Sequence, residues 1–192
     1  MSPSGRARAA GTVGRVAGDG SLGFDPIAEA RRQWVAHGWA DAAAGMEVVT
    51  SVMRVQQLML AAVDEVLEPF GLTFARFELL ALLSFTKDGG LPLGKIGARL
   101  QVHPTSVTNA VDRLEREGLV RRSAHPTDRR AILATITPEG RELAGRAGDA
   151  LNRQIFEALP LDDVELDGVT GSLRRLRSAA GDPDASGRAL DR

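Results

Sequence analysis

The stretch from residue 92 to residue 130 constrains the fold of this chain more than any other. Two short helical patterns meet there at a tight turn, and a hairpin that carries arginines follows them. In the second pattern, Val107, Leu114 and either Ala110 or Val111 share one apolar face. The opposite face carries groups that contact base edges and phosphates, namely Thr105, Ser106, Thr108, Asn109 and Arg113. This stretch predicts a helix-turn-helix whose second helix enters the major groove of DNA.

Helical patterns also fill the region before this motif. Asp25 followed by Pro26 indicates the start of a first helix, which ends at Gly38 or at Gly45. A long helix is expected from about Gly45 to Pro69, and a third helix is expected before the motif. The chain is therefore predicted to be mainly α-helical.

A small β wing and two further helices are predicted after the motif. Gly118 is expected to end the second motif helix, and Leu119 then begins a strand that pairs with a second strand over 131–136. Thr137 is expected to cap a helix over 138–158, and Asp162 is expected to cap a last helix. A two-stranded ribbon alone is marginally stable, so we expect the wing to pack on the second motif helix.

Composition and local charge narrow the class of protein. The chain has 192 residues and no cysteine, which excludes disulfides and thiol catalysis. Its net charge is only −1, but residues 99–130 contain seven arginines against four carboxylates, a balance of +3. Residues 41–72 instead contain one arginine and five carboxylates, a balance of −4. Positive charge is thus concentrated at the motif, as expected of a nucleic-acid-binding surface.

No stretch of the sequence has the pattern of a membrane span or a secretory signal. The longest helical pattern, 46–68, contains Arg54, Asp64 and Glu65. The N-terminus has no continuous apolar run before Leu22. We therefore expect the protein in the cytoplasm.

Three segments of the chain resemble the MarR family of winged helix-turn-helix regulators. Residues 91–100, LPLGKIGARL, resemble the first motif helix of that family, and residues 111–120, VDRLEREGLV, resemble the end of its recognition helix. Residues 128–140, DRRAILATITPEG, resemble its wing and the start of the next helix. The resemblance implies a homodimer with interdigitated N- and C-terminal helices, a pseudo-palindromic DNA site, a small effector ligand and no cofactor.

The resemblance also divides the chain. The segments 1–22 and 181–192 are predicted from their composition to be disordered tails, since the first consists mainly of Gly, Ala, Arg and Ser with almost no large apolar side chain. Between them, the resemblance implies an extra N-terminal helix over 23–44 and a winged helix-turn-helix domain over 45–180. Within that domain, 72–137 is the expected DNA-binding lobe, and 45–70 and 138–180 are the expected dimerisation helices. The arginines of the first tail leave open a basic arm that contacts DNA.

Family membership would give the wing residues distinct roles. The arginine two positions after the wing aspartate enters the minor groove, which assigns that role to Arg130 because a narrow groove attracts a guanidinium. Asp128 is expected to orient the wing through a salt bridge, and Arg129, Arg121 and Arg122 are secondary candidates for phosphate contact. The alternative for the wing is a charged, solvated hairpin. On the recognition helix the alternative to DNA contact is ordinary capping and a solvated surface. Pairing of Arg113 and Arg116 with Asp112 or Glu117 is also open.

Residues 25–39 resemble the extra N-terminal helix of the urate-responsive subgroup of the family. Trp34 matches the tryptophan that lies near the ligand there, Glu78 stands where an aspartate is expected, and Ala110 stands where an arginine is expected. An organic acid or aromatic anion is therefore the expected ligand class, with Trp34 and Glu78 in its pocket. The alternative is that Trp34 and Trp39 are core or dimer anchors.

Other classes of protein are disfavoured by what the sequence lacks. His37, His103 and His125 are far apart and have no cysteine nearby, so no metal site is expected, and His103 is expected to cap a helix or contact a phosphate. No hydrolase, phosphate-loop or dinucleotide motif is present, so an enzyme is not expected. The remaining alternative is an architectural DNA-binding protein without sequence preference. We expect instead a sequence-specific, ligand-responsive regulator, in the form of a repressor.

Overall fold

The computed structural model of the protein describes residues 23–125, Asp128 and residues 131–182. These residues divide into two compact units, which meet in sequence between Phe74 and Ala75. We call them the N-terminal unit, 23–74, and the C-terminal unit, 75–182. The predicted disordered tails lie outside the described residues, apart from Gly181 and Asp182 at the start of the second tail.

The N-terminal unit consists of two packed helices, α1 (Pro26–Ala36) and α2 (Ala40–Leu67), and a 3₁₀ turn (Glu68–Phe70). The predicted start of α1 is confirmed, because the Asp25 carboxylate caps it and accepts a hydrogen bond from the Ile27 amide at 2.9 Å.

The first helix ends where the chain turns at Gly38, and the long helix starts earlier than predicted. Gly38 has a φ of +85°, a left-handed conformation that glycine adopts without steric cost. The expected start of α2 at about Gly45 is wrong, since α2 begins at Ala40 and contains Gly45 in its interior. Residues 42–44 are alanines, the best helix formers, and they offset the penalty of about 1 kcal/mol for one glycine.

The C-terminal unit contains the other helices and all described strands. The helices are α3 (Phe74–Ser84, which begins one residue before the unit boundary), α4 (Leu93–Leu100), α5 (Pro104–Arg116), α6 (Pro138–Leu151) and α7 (Asp163–Ala179), with a π turn (Asn152–Phe156) after α6. The strands are β1 (Gly90–Pro92), β2 (Val120–Ala124) and β3 (Ile132–Ile136). The predicted fold class, mainly α with a small β wing, is confirmed.

The sheet has three strands in the order β1-β3-β2, all antiparallel, where the sequence predicted two. At its centre Ala134 of β3 lies between Leu91 of β1 and Arg122 of β2. Strand β1 has only three residues and ends in Pro92, which cannot donate a backbone hydrogen bond. An edge strand tolerates such a proline, but the sequence pattern of so short a segment does not reveal a strand.

The core of the C-terminal unit lies beneath the helix-turn-helix. Its fully buried side chains come from α3, α4, α5, β2 and α6, namely Leu79, Leu80, Leu83, Ile96, Val107, Val111, Leu114, Val120 and Leu151. The apolar face of α5 contains Val111 rather than Ala110, because Val111 is buried whereas Ala110 is only half-buried. The apolar face predicted for the second motif helix is therefore its packing face.

The two last helices begin at the predicted caps. The Thr137 hydroxyl accepts a hydrogen bond from the Gly140 amide at 3.0 Å, and Asp162 and Glu165 form a reciprocal capping box. The helix predicted over 138–158 is regular only to Leu151 and continues as the π turn. None of the helices in the described part of the chain is both long enough and apolar enough to cross a membrane.

Candidate DNA interface

The turn between α4 and α5 gives the helix-turn-helix its geometry. Gln101 ends α4 in the left-handed conformation, with a φ of +54°. His103 then caps α5, because its Nδ1 accepts a hydrogen bond from the Thr105 amide at 3.2 Å, and Pro104 occupies the first helical position. Of the two roles considered for His103, helix capping is the one that the structure shows.

The outward face of α5 presents the side chains that the sequence assigned to DNA contact. Thr105, Ser106, Thr108, Asn109 and Arg113 are all exposed, while the opposite face of the helix is buried. Thr108 also donates its hydroxyl to the Pro104 carbonyl at 3.1 Å, a bond within the helix that leaves an oxygen lone pair free to accept another. The five residues thus form one polar surface, and their contact with DNA remains a prediction.

Two arginines share one carboxylate at the C-terminal end of α5. Glu117 accepts a hydrogen bond from Arg113 Nε at 2.6 Å and another from Arg76 Nη1 at 3.2 Å. The side chain of Arg113 is nevertheless 56% exposed, and the cluster carries a net positive charge. Arg76 belongs to α3, so its place in this cluster depends on tertiary packing that sequence spacing does not reveal.

The wing hairpin closes next to the recognition helix. The His125 amide donates to the Ala131 carbonyl at 3.0 Å, and the Ala131 amide donates to the carbonyl of Asp128, also at 3.0 Å. A groove of about 1050 Å³ has Thr108 of α5 and Asp128 of the wing among its lining residues, so the helix and the wing border the same surface.

Two of the predicted wing contacts cannot be placed. Arg129 and Arg130 lie outside the described residues, so the phosphate contact of Arg129 and the minor-groove insertion of Arg130 remain predictions, as does the orienting role of Asp128.

Arg122 takes a different place from the one expected of it. Its Nη2 forms an ion pair with the Asp112 carboxylate and donates to the Thr108 carbonyl at 3.2 Å. Its Nε lies 3.5 Å from Glu115 Oε2, and its amide donates to Glu115 Oε1 at 3.0 Å. The expectation of a phosphate contact is therefore wrong for Arg122, because its guanidinium is directed at the recognition helix.

The residues proposed for a ligand pocket lie in different units. Trp34, in the N-terminal unit, packs edge-on against Trp39 with ring centroids 5.5 Å apart. Glu78, in the C-terminal unit, is half-buried, and this burial raises the pKa of its carboxyl above the ordinary value of 4.5. The pocket remains a prediction. Across the described residues, no three histidine, aspartate or glutamate side chains lie close enough together to hold a metal ion.

Comparisons with known proteins agree with this geometry. The family model described as the MarR family matches residues 72–132. The crystal structure of Sco5413, a MarR family transcriptional regulator from Streptomyces coelicolor, is 50% identical, covers 73% of this chain and 98% of its own, and superposes with a TM-score of 0.67.

Two other similar proteins connect the fold to DNA and to repression. Sco3205, a MarR family transcriptional regulator from Streptomyces coelicolor solved in complex with DNA, is 26% identical over 74% of this chain and 91% of its own, with a TM-score of 0.61. The transcriptional repressor MdtR of Bacillus subtilis is 40% identical over 76 residues, which make up 40% of this chain and 48% of MdtR. This chain therefore spans about half the length of MdtR in that match.

Proposed function

This chain belongs to the MarR family, and from that membership we propose that it is a sequence-specific transcriptional repressor that binds a pseudo-palindromic operator as a homodimer. The observation that carries the proposal is the surface of α5. Four hydrogen-bonding side chains and a cation stand exposed there, above a fully buried apolar face.

The polar surface of α5 suits contact with base edges. The major groove admits one α-helix, and the first residues of a recognition helix contact the bases. Thr105 and Ser106 lie in the first turn of α5, and Asn109 lies one turn further on. An asparagine amide can form two hydrogen bonds with adenine, and hydroxyls can donate or accept with several bases. The shared Arg76, Arg113 and Glu117 cluster adds positive charge at the far end of the helix.

Exposed apolar side chains support the homodimer. In the N-terminal unit α2 exposes Val48, Val49, Val52, Met53, Val55 and Met59, and in the C-terminal unit α7 exposes Val169, Leu173 and Leu176. Apolar surface of this extent is typical of protein interfaces, and most oligomers of one chain have two-fold symmetry. A two-fold dimer would present two recognition helices and would therefore prefer an inverted repeat.

Repression and the cellular location are proposed by analogy. MdtR is named a repressor, and the part of it that matches this chain is similar at 40% identity. A repressor of this kind would act on chromosomal DNA in the cytoplasm.

An organic acid or aromatic anion is proposed as the effector. The support is the match of Trp34 and Glu78 to the ligand-contacting positions that the resemblance implies. Glu78 is half-buried, and this burial raises the pKa of its carboxyl. An effector would act by favouring a dimer conformation whose recognition helices no longer match successive major grooves. Adding candidate acids to the protein–operator complex should release DNA, and the Glu78→Ala variant should respond less than wild type.

Selection of DNA from a random pool tests the proposed function. The purified protein should enrich an inverted repeat whose half-sites are about 10 base pairs apart, one helical turn. It should also prefer this site to scrambled DNA by about 10³-fold or more. Equal affinity for all sequences, with a steep salt dependence, would instead identify an architectural DNA-binding protein.

A further inference from the structure

One arginine of the wing connects it to the recognition helix. Arg122, in the middle of β2, contacts the Thr108 carbonyl, the Asp112 carboxylate and the Glu115 carboxylate. These three partners are four and three residues apart on α5, a spacing that places them along one edge of the helix. A single side chain from the wing therefore spans about two turns of the helix that carries the predicted base contacts.

Burial and charge distinguish Arg122 from the arginine beside it. The side chain of Arg122 is 24% exposed, whereas those of Asp112 and Glu115 are 44% and 42% exposed. Arg121 is exposed, as expected for a neighbour on the opposite face of the strand. Two carboxylates surround one guanidinium, so the local charge is negative and a phosphate would be repelled rather than bound. Arg122 is thus suited to hold the wing and not to hold DNA.

The position of this contact determines what it would control. Strand β2 ends at Ala124, two residues after Arg122, and the hairpin that follows carries the predicted DNA contacts of the wing. A planar guanidinium with several fixed donors sets direction as well as distance. Fixing it on α5 would therefore fix the angle between the wing and the recognition helix.

We infer that Arg122 is a positioning residue for operator binding, which holds the wing at the angle that lets wing and helix engage one duplex together. The inference rests on the proposed function for its consequence in DNA binding. The contact between β2 and α5 stands on the structure and can be tested without DNA.

Two substitutions that change the charge in opposite directions test the inference. Arg122→Gln removes a positive charge, and Asp112→Asn removes a negative charge with almost no change in shape. Loss of a coupled contact should weaken operator binding about tenfold in both variants. Charge alone predicts the opposite for Asp112→Asn, since removal of a carboxylate next to DNA should strengthen binding. The matched control is Glu157→Gln, which neutralises an exposed carboxylate after the π turn, outside the predicted DNA-binding lobe, and should leave operator affinity unchanged.

The salt dependence of binding separates positioning from phosphate contact. Titrations at several salt concentrations should show an unchanged slope of log affinity against log salt for Arg122→Gln, because no phosphate contact is lost. Arg122→Lys keeps the positive charge but loses the planar set of N–H donors that contacts several partners at once, so it should also weaken operator binding. Tighter or equal binding by Asp112→Asn, or a slope reduced by about one for Arg122→Gln, would overturn the inference.

Hydrogen exchange without DNA tests the contact itself. Amides of Val120–Ala124 should exchange faster in Arg122→Gln and Asp112→Asn than in wild type, with α3 unchanged. Identical exchange in β2 would overturn the inference even if DNA binding fell. A wild-type protein with no sequence preference would refute the proposed function, and the exchange measurement would still decide whether Arg122 holds the wing.

Discussion

Thr137 links the end of the recognition helix to the start of α6. Its buried hydroxyl donates to the Gly118 carbonyl at 2.9 Å and accepts from the Gly140 amide at 3.0 Å. Its own amide donates to the Leu119 carbonyl at 3.0 Å. The backbones approach so closely there that a Cβ on Gly140 would overlap the Leu119 carbonyl oxygen.

Because the backbones approach closely at Gly140, adding one methyl group there is expected to lower the stability of the fold substantially. Gly140→Ala should destabilise the protein by about 2 kcal/mol, because overpacking a rigid backbone contact forces the chain to shift. Chemical denaturation measures this loss. Gly145→Ala is the matched control on the same helix, where the new methyl group meets no atom within 4 Å. It should stabilise by about 0.5–1 kcal/mol, and equal stability of the two variants would contradict the packing argument.

The raised pKa of Glu78 predicts a pH-dependent stability. The folded chain binds this proton more tightly than the unfolded chain, so stability falls as pH rises from 4.5 through the folded pKa. Glu78→Gln removes the charged form and should be more stable than wild type at neutral pH, with the difference shrinking below pH 4.5. Denaturant unfolding at about pH 4 and pH 7 measures both differences. A difference that does not depend on pH would show that burial of the charge is not its cause.

Residue pairings across elements were the part of the site that sequence could not supply. Spacing along one helix correctly offered Glu117 as a partner of Arg113. Arg76, the third residue of the cluster with Arg113 and Glu117, and the partners of Arg122 come from other elements. Only tertiary packing brings these residues together. This is why Arg122, one residue from exposed Arg121, was expected to contact phosphate.

At the scale of elements, the sequence predicted where a helix begins or ends wherever a capping residue or a periodic apolar pattern marked the boundary. The caps of α1, α6 and α7 at Asp25, Thr137 and Asp162 were all predictable because a single side chain satisfies the free amides of the first turn. The early start of α2 and the short strand β1 were not predictable. The start of α2 was missed because Gly45 does not break a helix when alanines precede it. Strand β1 was missed because its hydrogen bonds depend on its partner β3.

Removing one DNA contact of the wing is expected to weaken operator binding without destabilising the fold. Arg130→Ala should weaken operator binding and lower the magnitude of the salt slope by about one, because one contact with the DNA is removed. Dimerisation and thermal stability should remain at wild-type values. Titration of a labelled operator at several salt concentrations measures both effects.

A control for this variant removes the same charge elsewhere. Arg146→Ala deletes an exposed arginine of α6, beyond the DNA-binding lobe, and should leave operator affinity nearly unchanged. An unchanged dissociation constant for Arg130→Ala would refute the role of the wing arginine.

At the scale of the whole molecule, the sequence predicted the order of the helices and the family, and both are confirmed. The long terminal helices also carry apolar residues at helical spacing. In the single chain Val63 and Leu67 of α2 are buried, but Val169, Leu173 and Leu176 of α7 are exposed. The surface that these α7 residues contact depends on how two chains assemble. The sequence pattern and the structure of one chain therefore do not determine it.

The central claim is that two chains present two recognition helices to one inverted repeat. The most direct measurement is the mass of the protein–DNA complex, by analytical ultracentrifugation, on the selected repeat and on a duplex with one half-site scrambled. Two chains are expected on one intact duplex, and affinity should fall steeply when either half-site is scrambled. One chain per duplex, or equal affinity for the intact and the scrambled site, would contradict the central claim.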